Sequence, residues 1–344
     1  MDRAPAALTA PVTSAAPAAP EPQPLRPRHR LIAWAAGLLL PVPALISACR
    51  FLDTDGVTPV PQLLSLLPWL AVPAGLGVLL AAVARRRALT LLAVVVLAAV
   101  GWSSLPYMPQ LVLSYGLPLA RVKVLASNVE YGQATGALID TIRRERPQLV
   151  FVTECDLACG HALTTAFAAE LPHHTAVDAG GASGSVLLSA YPLTDERVIP
   201  GVMGMPGATV EIAGRPVRLQ LAHPMPPVPR QVDGWERELG RIEDDAAARR
   251  DTGPRLFAGD FNASQDHAAF RAILAAGRLQ DAARLGDASR TPTWPMEGPL
   301  PPFVQIDHVL VSEDFSVRSI RFLDLAGSDH RAVLTDLDLR GERG

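Results

Sequence analysis

Cysteine is scarce, with three in 344 residues, too few for a disulfide framework. Cys49 closes an apolar run. Cys155 and Cys159 stand four apart, and no other Cys or well-spaced His completes a zinc site around them. They either bridge in an oxidising compartment or remain two thiols. Basic runs are equally scarce: after Arg87 no stretch of Lys and Arg exceeds two or three residues. Eight of the 31 Lys and Arg and four of the 34 Asp and Glu precede residue 121, so the remainder carries a formal charge of −7. A duplex-binding surface normally sits on a basic domain, which disfavours nucleic acid as a partner. No internal repeat is visible. The start also lacks the charged end and early apolar run of a cleavable signal peptide.

Charge is missing altogether over three long runs: 19 residues at 31–49, 22 at 63–84 and 18 at 88–105. A helix needs about 20 apolar residues to cross a bilayer. No polar face at helical spacing is left for a soluble hairpin, and membrane helices tolerate the prolines of the first two runs. Three transmembrane helices are therefore expected over 31–105. An Ala- and Pro-rich disordered tail precedes them over 1–30, and a linker follows over 106–120. Arginines set the orientation. Arg26, Arg28 and Arg30 close the tail, and Arg85, Arg86 and Arg87 link the second and third runs. The loop 51–62 carries Asp53 and Asp55 and no basic residue. The expectation is a multi-pass protein of the cell membrane, with a cytoplasmic N-terminus and everything beyond the third run outside. Trp102, Tyr107 and Tyr115 suit the outer interface.

From residue 121 the texture changes. Strands are expected at 122–129, 149–154, 184–189, 209–212, 216–223, 305–312, 317–323 and 332–339, and helices at 133–146, 161–171, 232–250 and 265–276. Early alternation and late hairpins indicate an α/β sandwich of two sheets. The central strand is Leu256-Phe257-Ala258-Gly259-Asp260-Phe261-Asn262. It ends on two polar side chains at i and i+2, which share a face. A carboxylate beside an amide can take a proton from water and fix that water's position; the same residues also favour an Asx turn. The pattern recurs. Asn128, Glu154, His223 and Asp307 each end or interrupt an apolar strand, and Asp329-His330 begins one. Polar groups are costly in a core unless paired, so these residues are expected to converge on a pocket at one sheet edge.

In order along 121–340, these motifs resemble the endonuclease/exonuclease/phosphatase family. They are Ser127-Asn128-Val129-Glu130, Val152-Thr153-Glu154, Leu187-Leu188-Ser189-Ala190-Tyr191-Pro192-Leu193, Ala222-His223-Pro224, Gly259-Asp260-Phe261-Asn262, Ile306-Asp307-His308 and Ser328-Asp329-His330. The resemblance implies a DNase I-like catalytic domain over 121–344: a four-layer α/β sandwich of two mixed β-sheets flanked by helices. It implies a hydrolase of phosphoester or phosphoanhydride bonds using in-line water attack. Glu154 is then the principal Mg²⁺ ligand (Mn²⁺ being the alternative ion), helped by Asn128 and supported by Asp329. Asp260 orients or deprotonates the water and Asn262 steadies it. His330 contacts a phosphate oxygen with its tautomer fixed by Asp307, and His223 donates to the phosphate or leaving oxygen. Glu130 departs from the pattern, since some members carry Asp there as a second metal contact; it is either a ligand or a salt-bridged or exposed side chain.

Trp294, in Thr293-Trp294-Pro295, resembles a segment common near this pocket, and either binds substrate at the rim or only plugs a loop. His161, His173, His174, His267 and His308 match no motif and read as surface or packing residues. Tether and acidity together favour a lipid-linked phosphate or pyrophosphate at the outer membrane face. That arrangement resembles the membrane-attached actinobacterial branch of the family, associated with teicoplanin-type antibiotic resistance. An extracytoplasmic nuclease is the alternative. An inactive binding or sensing protein is a third reading, opposed by the intact polar set. No protein partner can be inferred.

Overall fold

Proline decides how the apolar N-terminal third is cut into helices. The structure is a computed structural model that describes residues 27–105 and 116–341. Most of the expected tail, and residues 106–115 of the expected linker with Tyr107 and Tyr115, lie outside the described residues, while residues 118–120 of that linker already belong to the first strand. Helix α1 spans Pro27–Leu38 and α2 spans Pro41–Phe51. Residues 27–30, expected in the tail, are thus already helical. Pro41 removes a backbone donor and breaks the run at residues 39–40. Taken together, Arg28–Phe51 is the one helix among the described residues long and apolar enough to cross a membrane, with 24 residues and a mean hydropathy of 2.0. The second run is not a single helix. The end of α3 (Val60–Leu64), a 3₁₀ turn (Leu67–Leu70) that Pro68 opens and α4 (Ala71–Val83) share it, and α5 follows at Arg87–Ser103. The apolar helices Leu67–Val83 and Arg87–Ser103 are shorter than the first. Ile46, Leu64, Leu67 and Val100 form a common core between these helices.

The remaining described residues fold into twelve strands. They are β1 (Pro118–Asn128), β2 (Leu149–Thr153), β3 (His173–Val177), β4 (Ser185–Ser189), β5 (Leu193–Val198), β6 (Pro206–Ile212), β7 (Arg215–Ala222), β8 (Arg255–Asp260), β9 (Leu279–Asp281), β10 (Asp307–Ser312), β11 (Phe315–Asp324) and β12 (Arg331–Arg340). Five further helices accompany them: α6 (Thr135–Glu145), α7 (Leu157–Ala166), α8 (Val232–Ala248), α9 (Ala268–Gly277) and α10 (Ala282–Leu285). One sheet runs β11-β12-β1-β2-β4-β3 and the other β5-β6-β7-β8-β10-β9. Each is antiparallel except for one parallel pair at its centre, β1 with β2 and β7 with β8.

Strand alternation sorts the apolar side chains into three layers. Val124, Ala126, Phe151, Leu221, Ala258 and Val309 face the gap between the sheets. Leu125, Val150 and Val152 turn outward onto α6 and α7, and Phe257 and Leu310 turn outward onto α8 and α9. The result is the expected four layers, helix-sheet-sheet-helix.

The helical unit is bonded to the sandwich. Asp55, in the loop after α2, accepts the Ala268 and Ala269 N–H groups at 2.7 and 2.9 Å, and so caps α9 from outside its own chain segment. His267 Nε2 donates to the Pro61 carbonyl at 2.9 Å. Arg290 grips Asp266 through both terminal nitrogens, at 2.6 and 2.7 Å, and gives its Nε–H to the Ser104 carbonyl at 2.8 Å. Trp69 Nε1 donates to the Phe303 carbonyl at 3.2 Å. Cys155 and Cys159 are joined as a disulfide at the start of α7.

Candidate active site

The inward stripe of the central strands changes from apolar to polar at its last position. Val124 and Ala126 face the other sheet, and two residues on comes Asn128. Ala258 leads in the same way to Asp260, and Leu221 to His223. On β10, Val309 and Val311 lead back to Asp307. Pairing then aligns these ends. Asn128 lies beside Thr153, the residue before Glu154. Ala222 lies beside Gly259, and Asp260 lies opposite Asp307. Both parallel pairs therefore deliver their C-terminal ends to one rim, and the loop before β12 brings Asp329 and His330 to it.

Gly259 permits this convergence. A Cβ there would lie 2.2 Å from the Ala222 carbonyl oxygen, and its φ of +143° suits glycine alone. Glu130, Tyr131, Glu154 and Asn262 all adopt left-handed backbone, with φ between 44° and 55°. For residues with a Cβ this conformation is strained, and such strain gathers at functional sites. At Glu154 it breaks strand alternation and swings the carboxylate toward Asn128. Asn128 Nδ2 bridges two acids, donating to Glu154 Oε1 at 3.1 Å and Asp260 Oδ2 at 3.2 Å. Its oxygen accepts the Glu130 N–H at 2.9 Å, so Asn128 as placed turns its amine and not its oxygen toward the carboxylates. The Tyr131 N–H reaches Glu154 Oε2 at 3.2 Å.

His330 Nδ1 pairs with Asp307 Oδ2 at 2.9 Å. Its Nε2 faces Asp260 Oδ2 at 3.8 Å and Asp329 Oδ1 at 3.7 Å. Burial alone would lower this imidazole's pKa, but Asp307, Asp260 and Asp329 outweigh it and push the pKa to about 10. His223 behaves in the opposite way. It is 1% exposed, and burial drives its pKa down to about 4 against a smaller pull from Asp260. Its Nδ1 has no partner among the described residues, and its Nε2 lies 3.9 Å from Glu154 Oε1. At neutral pH the site thus holds one imidazolium and one neutral imidazole. Burial also raises the Glu154, Asp260 and Glu130 carboxyls above their ordinary range.

Asp260 Oδ1 accepts the Asn262 N–H at 2.8 Å, an Asx turn. The turn and the polar convergence coexist. Asn262 Nδ2 is turned to the Pro224 carbonyl at 3.0 Å, and Phe261 points away into the outer core. Asp329 Oδ2 accepts from Trp294 Nε1 at 2.8 Å, which holds the indole over the rim. Glu130 Oε2 accepts the Asp329 N–H at 2.8 Å and so braces this loop. All ten singled-out residues therefore belong to one connected region.

Two residues quoted in the sequence motifs without a role of their own prove to be positioning residues. Ser328 Oγ donates to the Asn128 carbonyl at 2.8 Å and accepts the His330 N–H at 3.0 Å. Thr293 Oγ1 accepts the Ile306 and Asp307 N–H groups at 3.1 and 3.2 Å. Each is a small hydroxyl two residues from, or facing, a site carboxylate or imidazole, a signal too common to stand out in sequence. His267 and His308 are packing residues, as expected, but fully buried. His308 bonds Asp281 at 2.8 Å and the Ala263 carbonyl at 3.1 Å.

Asp260, Asp307 and His330 offer ligand atoms within 4.8 Å of one another, and Glu154 joins Asp260 through the shared amide. Several buried acids with raised pKa values and few basic partners suit a hard divalent cation, which would offset their repulsion. The sequence matches the Endonuclease/Exonuclease/phosphatase family over residues 125–330. The chain belongs to the endonuclease/exonuclease/phosphatase family. Members of this family are hydrolases of phosphodiester bonds that generally use divalent metal ions.

Solved structures agree in fold. Residues covering 64% of this chain match 99% of D. rerio TDP2 complexed with a single-strand DNA product, at 16% identity and TM-score 0.52. The family's protein from Bacteroides vulgatus matches over 64% of this chain and 99% of its own, at 16% identity and TM-score 0.51. That from Bacteroides thetaiotaomicron matches over 67% and 100%, at 15% identity and TM-score 0.51. No curated protein matches the chain.

Proposed function

We propose that this family member is a membrane-anchored, Mg²⁺-dependent phosphoesterase acting on a lipid-borne phosphate or pyrophosphate at the outer membrane face. The observation that carries the chemistry is that Asn128 bridges Glu154 and Asp260 at 3.1 and 3.2 Å, while His330, paired with Asp307 at 2.9 Å, and His223 face the same buried acids. His330 and His223 can each offer an N–H to a phosphate there, and Asp260 is left as the base. Glu154 would hold the ion, with Asn128 fixing its carboxylate and Asp329 supporting it; Mn²⁺ could take the same oxygens. When bound, the ion supplies charge compensation to a phosphate oxygen.

The remaining work belongs to the chain's own groups. Asp260 takes the proton of the attacking water, and Asn262 fixes the turn that aims it. His330 presents its Nε2–H to a non-bridging oxygen, while Asp307 holds the other nitrogen. His223 donates to the phosphate or the leaving oxygen. Glu130 acts through Asp329, and Trp294 forms the rim.

The membrane part of the proposal rests on three features. Arg28–Phe51 has the length and hydropathy of a span. Arg85, Arg86 and Arg87 lie beyond the end of α4 away from the sandwich, about 25 Å from Ser103 along the 17-residue α5, as a cytoplasmic boundary would require. Trp69 of the apolar unit touches Phe303, whose ring packs on Trp294 at the rim with centroids 5.6 Å apart. On this reading all three apolar segments insert and the sandwich lies outside.

The test is hydrolysis by the full chain in detergent micelles, with Mg²⁺ and with EDTA, read as phosphate released from the lipid and as new monoester ends on the diesters. Polyprenyl pyrophosphate, a phosphodiester and plasmid DNA are offered side by side. Mg²⁺-dependent release from the lipid is the expected result. Turnover of DNA with the lipid untouched would replace this reading with a nuclease.

A further inference from the structure

Along β2, Phe151 faces the gap between the sheets and Val152 faces the outer helices. Strict alternation would send Glu154 outward and Cys155 inward. The left-handed backbone at Glu154, with a φ of +55°, exchanges the two. The carboxylate turns in, accepting from Asn128 Nδ2 at 3.1 Å and from the Tyr131 N–H at 3.2 Å. Cys155 turns out and joins the outer layer with Val152, Leu163 and Val186. There it is bonded to Cys159 of α7. The inward carboxylate and the outward disulfide are thus two results of one backbone reversal.

Such a reversal is unfavourable for a residue with a Cβ, so its surroundings must hold it. On one side the Cys155 N–H donates to the Gly184 carbonyl at 2.9 Å. On the other the disulfide ties Cys155 to the first turn of α7, whose start is fixed where Asp156 Oδ1 accepts the Cys159 N–H at 2.9 Å. The turn that carries Tyr131 packs on the same loop: a Cβ on Gly132 would lie 3.1 Å from Asp156 Oδ1 and 3.5 Å from the Cys159 Cβ. Cys155 and Cys159 are 4% and 2% exposed, so a reagent reaches the bond only when this loop opens. A link between residues four apart restricts the unfolded chain less than a longer loop does. Its effect is therefore local, on the residues it brackets and on Glu154 beside them.

We propose that the Cys155–Cys159 disulfide is a staple that holds Glu154 turned into the site, so that the oxidised chain binds a divalent cation and the reduced chain binds it weakly. The inference rests on the reading of Glu154 as the ligand of that ion. Reduction by a dithiol breaks the S–S bond. Two electrons and two protons pass to the cysteine sulfurs, and the dithiol leaves as its own disulfide. Glu154 can then return to extended backbone, which carries its carboxylate away from Asn128. Such bonds persist in oxidising compartments and are lost to cytosolic thiols. The staple thus confines a competent site to chains whose sandwich lies outside the cytoplasm.

The experiment titrates Mn²⁺ into the full chain in detergent and follows the bound ion by electron paramagnetic resonance, which needs no turnover. The oxidised chain is compared with the chain reduced by dithiothreitol, the reagent being removed before titration, and with Cys155→Ser/Cys159→Ser. Kd is expected to rise about tenfold in the last two, the scale of releasing one strained residue. Reoxidation of the reduced chain by a small-molecule disulfide should restore it. Asp55→Ala, which loosens the junction with the helical unit, is the control for lost stability and should keep the oxidised Kd. Circular dichroism checks each fold; if the double variant does not fold, the reduced and reoxidised chain decides alone. Equal Kd in the oxidised and reduced chains, or an equal rise in Asp55→Ala, overturns the staple and leaves the hydrolase reading standing. No Mn²⁺ binding by the oxidised chain overturns the staple and the metal-dependent reading together.

Discussion

His330 and His223 sit in one site with pKa values displaced in opposite directions, and the consequences can be measured. The folded value of His330, about 10, lies above the ordinary 6.5. Its contribution to stability is complete below about pH 6.5 and drains away as pH climbs toward 10. The folded value of His223, about 4, lies below 6.5, so its contribution holds above 6.5 and is lost as pH falls from there toward 4. Denaturant midpoints in EDTA should therefore fall on both sides of neutrality, and His330→Gln should flatten the alkaline side alone. Asp307→Asn removes the main carboxylate that keeps His330 charged. We expect kcat to fall about 10²–10⁴-fold and the alkaline limb of the rate profile to move to lower pH, while the fold survives by circular dichroism. The polar ends Asn128, Glu154, His223, Asp260 and Asp307 were legible in sequence because each interrupts an apolar stripe where a core residue was due. Ser328 and Thr293 were not. Their importance comes from which N–H or carbonyl meets them across the fold, and nothing local reports that. The side-chain direction of Asn128 was equally invisible, since only the neighbouring Glu130 N–H and the two acids fix it.

The central strands were readable in sequence, whereas of the four edge strands only β11 was read, and β9 was missed although it is buried throughout. Strands β3, β5 and β9 were absent from the sequence reading, and all three are sheet edges. Edge strands need no continuous apolar face, and β5 (Leu-Thr-Asp-Glu-Arg-Val) shows the charged, exposed texture that protects an edge from mispairing. Central strands, buried on both faces, announce themselves. The crossing of β7 and β8 depends on Gly259 having no side chain. Gly259→Ala should destabilise the protein by at least about 2 kcal/mol, seen as a lower denaturant midpoint, since a methyl group would meet the Ala222 carbonyl. Asp55 acts on another element from a distance. Asp55→Ala strips the cap from α9 and should lower stability by about 1 to 2 kcal/mol, with faster proteolysis at the junction of helices and sandwich as the readout.

At the scale of the whole molecule, the ends of the apolar helices divide by charge. One end holds Arg85, Arg86 and Arg87, and the other meets the sandwich through Asp53, Asp55, Ser103 and Ser104. If arginine sets orientation, Arg85→Gln/Arg86→Gln/Arg87→Gln should lower the fraction of chains whose C-terminus is reached by an impermeant label on intact cells. An unchanged fraction would show that the proposed topology is set elsewhere. The three charge-free runs were visible in sequence, but their division was not, because Pro41 and Pro68 cut helices according to local geometry that composition does not report.

The shared hydrogen bonds carry a practical consequence for anyone hoping to work with a water-soluble enzyme. Trimming the first hundred residues would leave the Ala268 and Ala269 amides, the outer nitrogen of His267 and the Phe303 carbonyl with solvent in place of Asp55, Pro61 and Trp69. The freed surface includes the loop that carries Trp294, so a shortened protein can keep its chemistry and still lose the shape of its entrance.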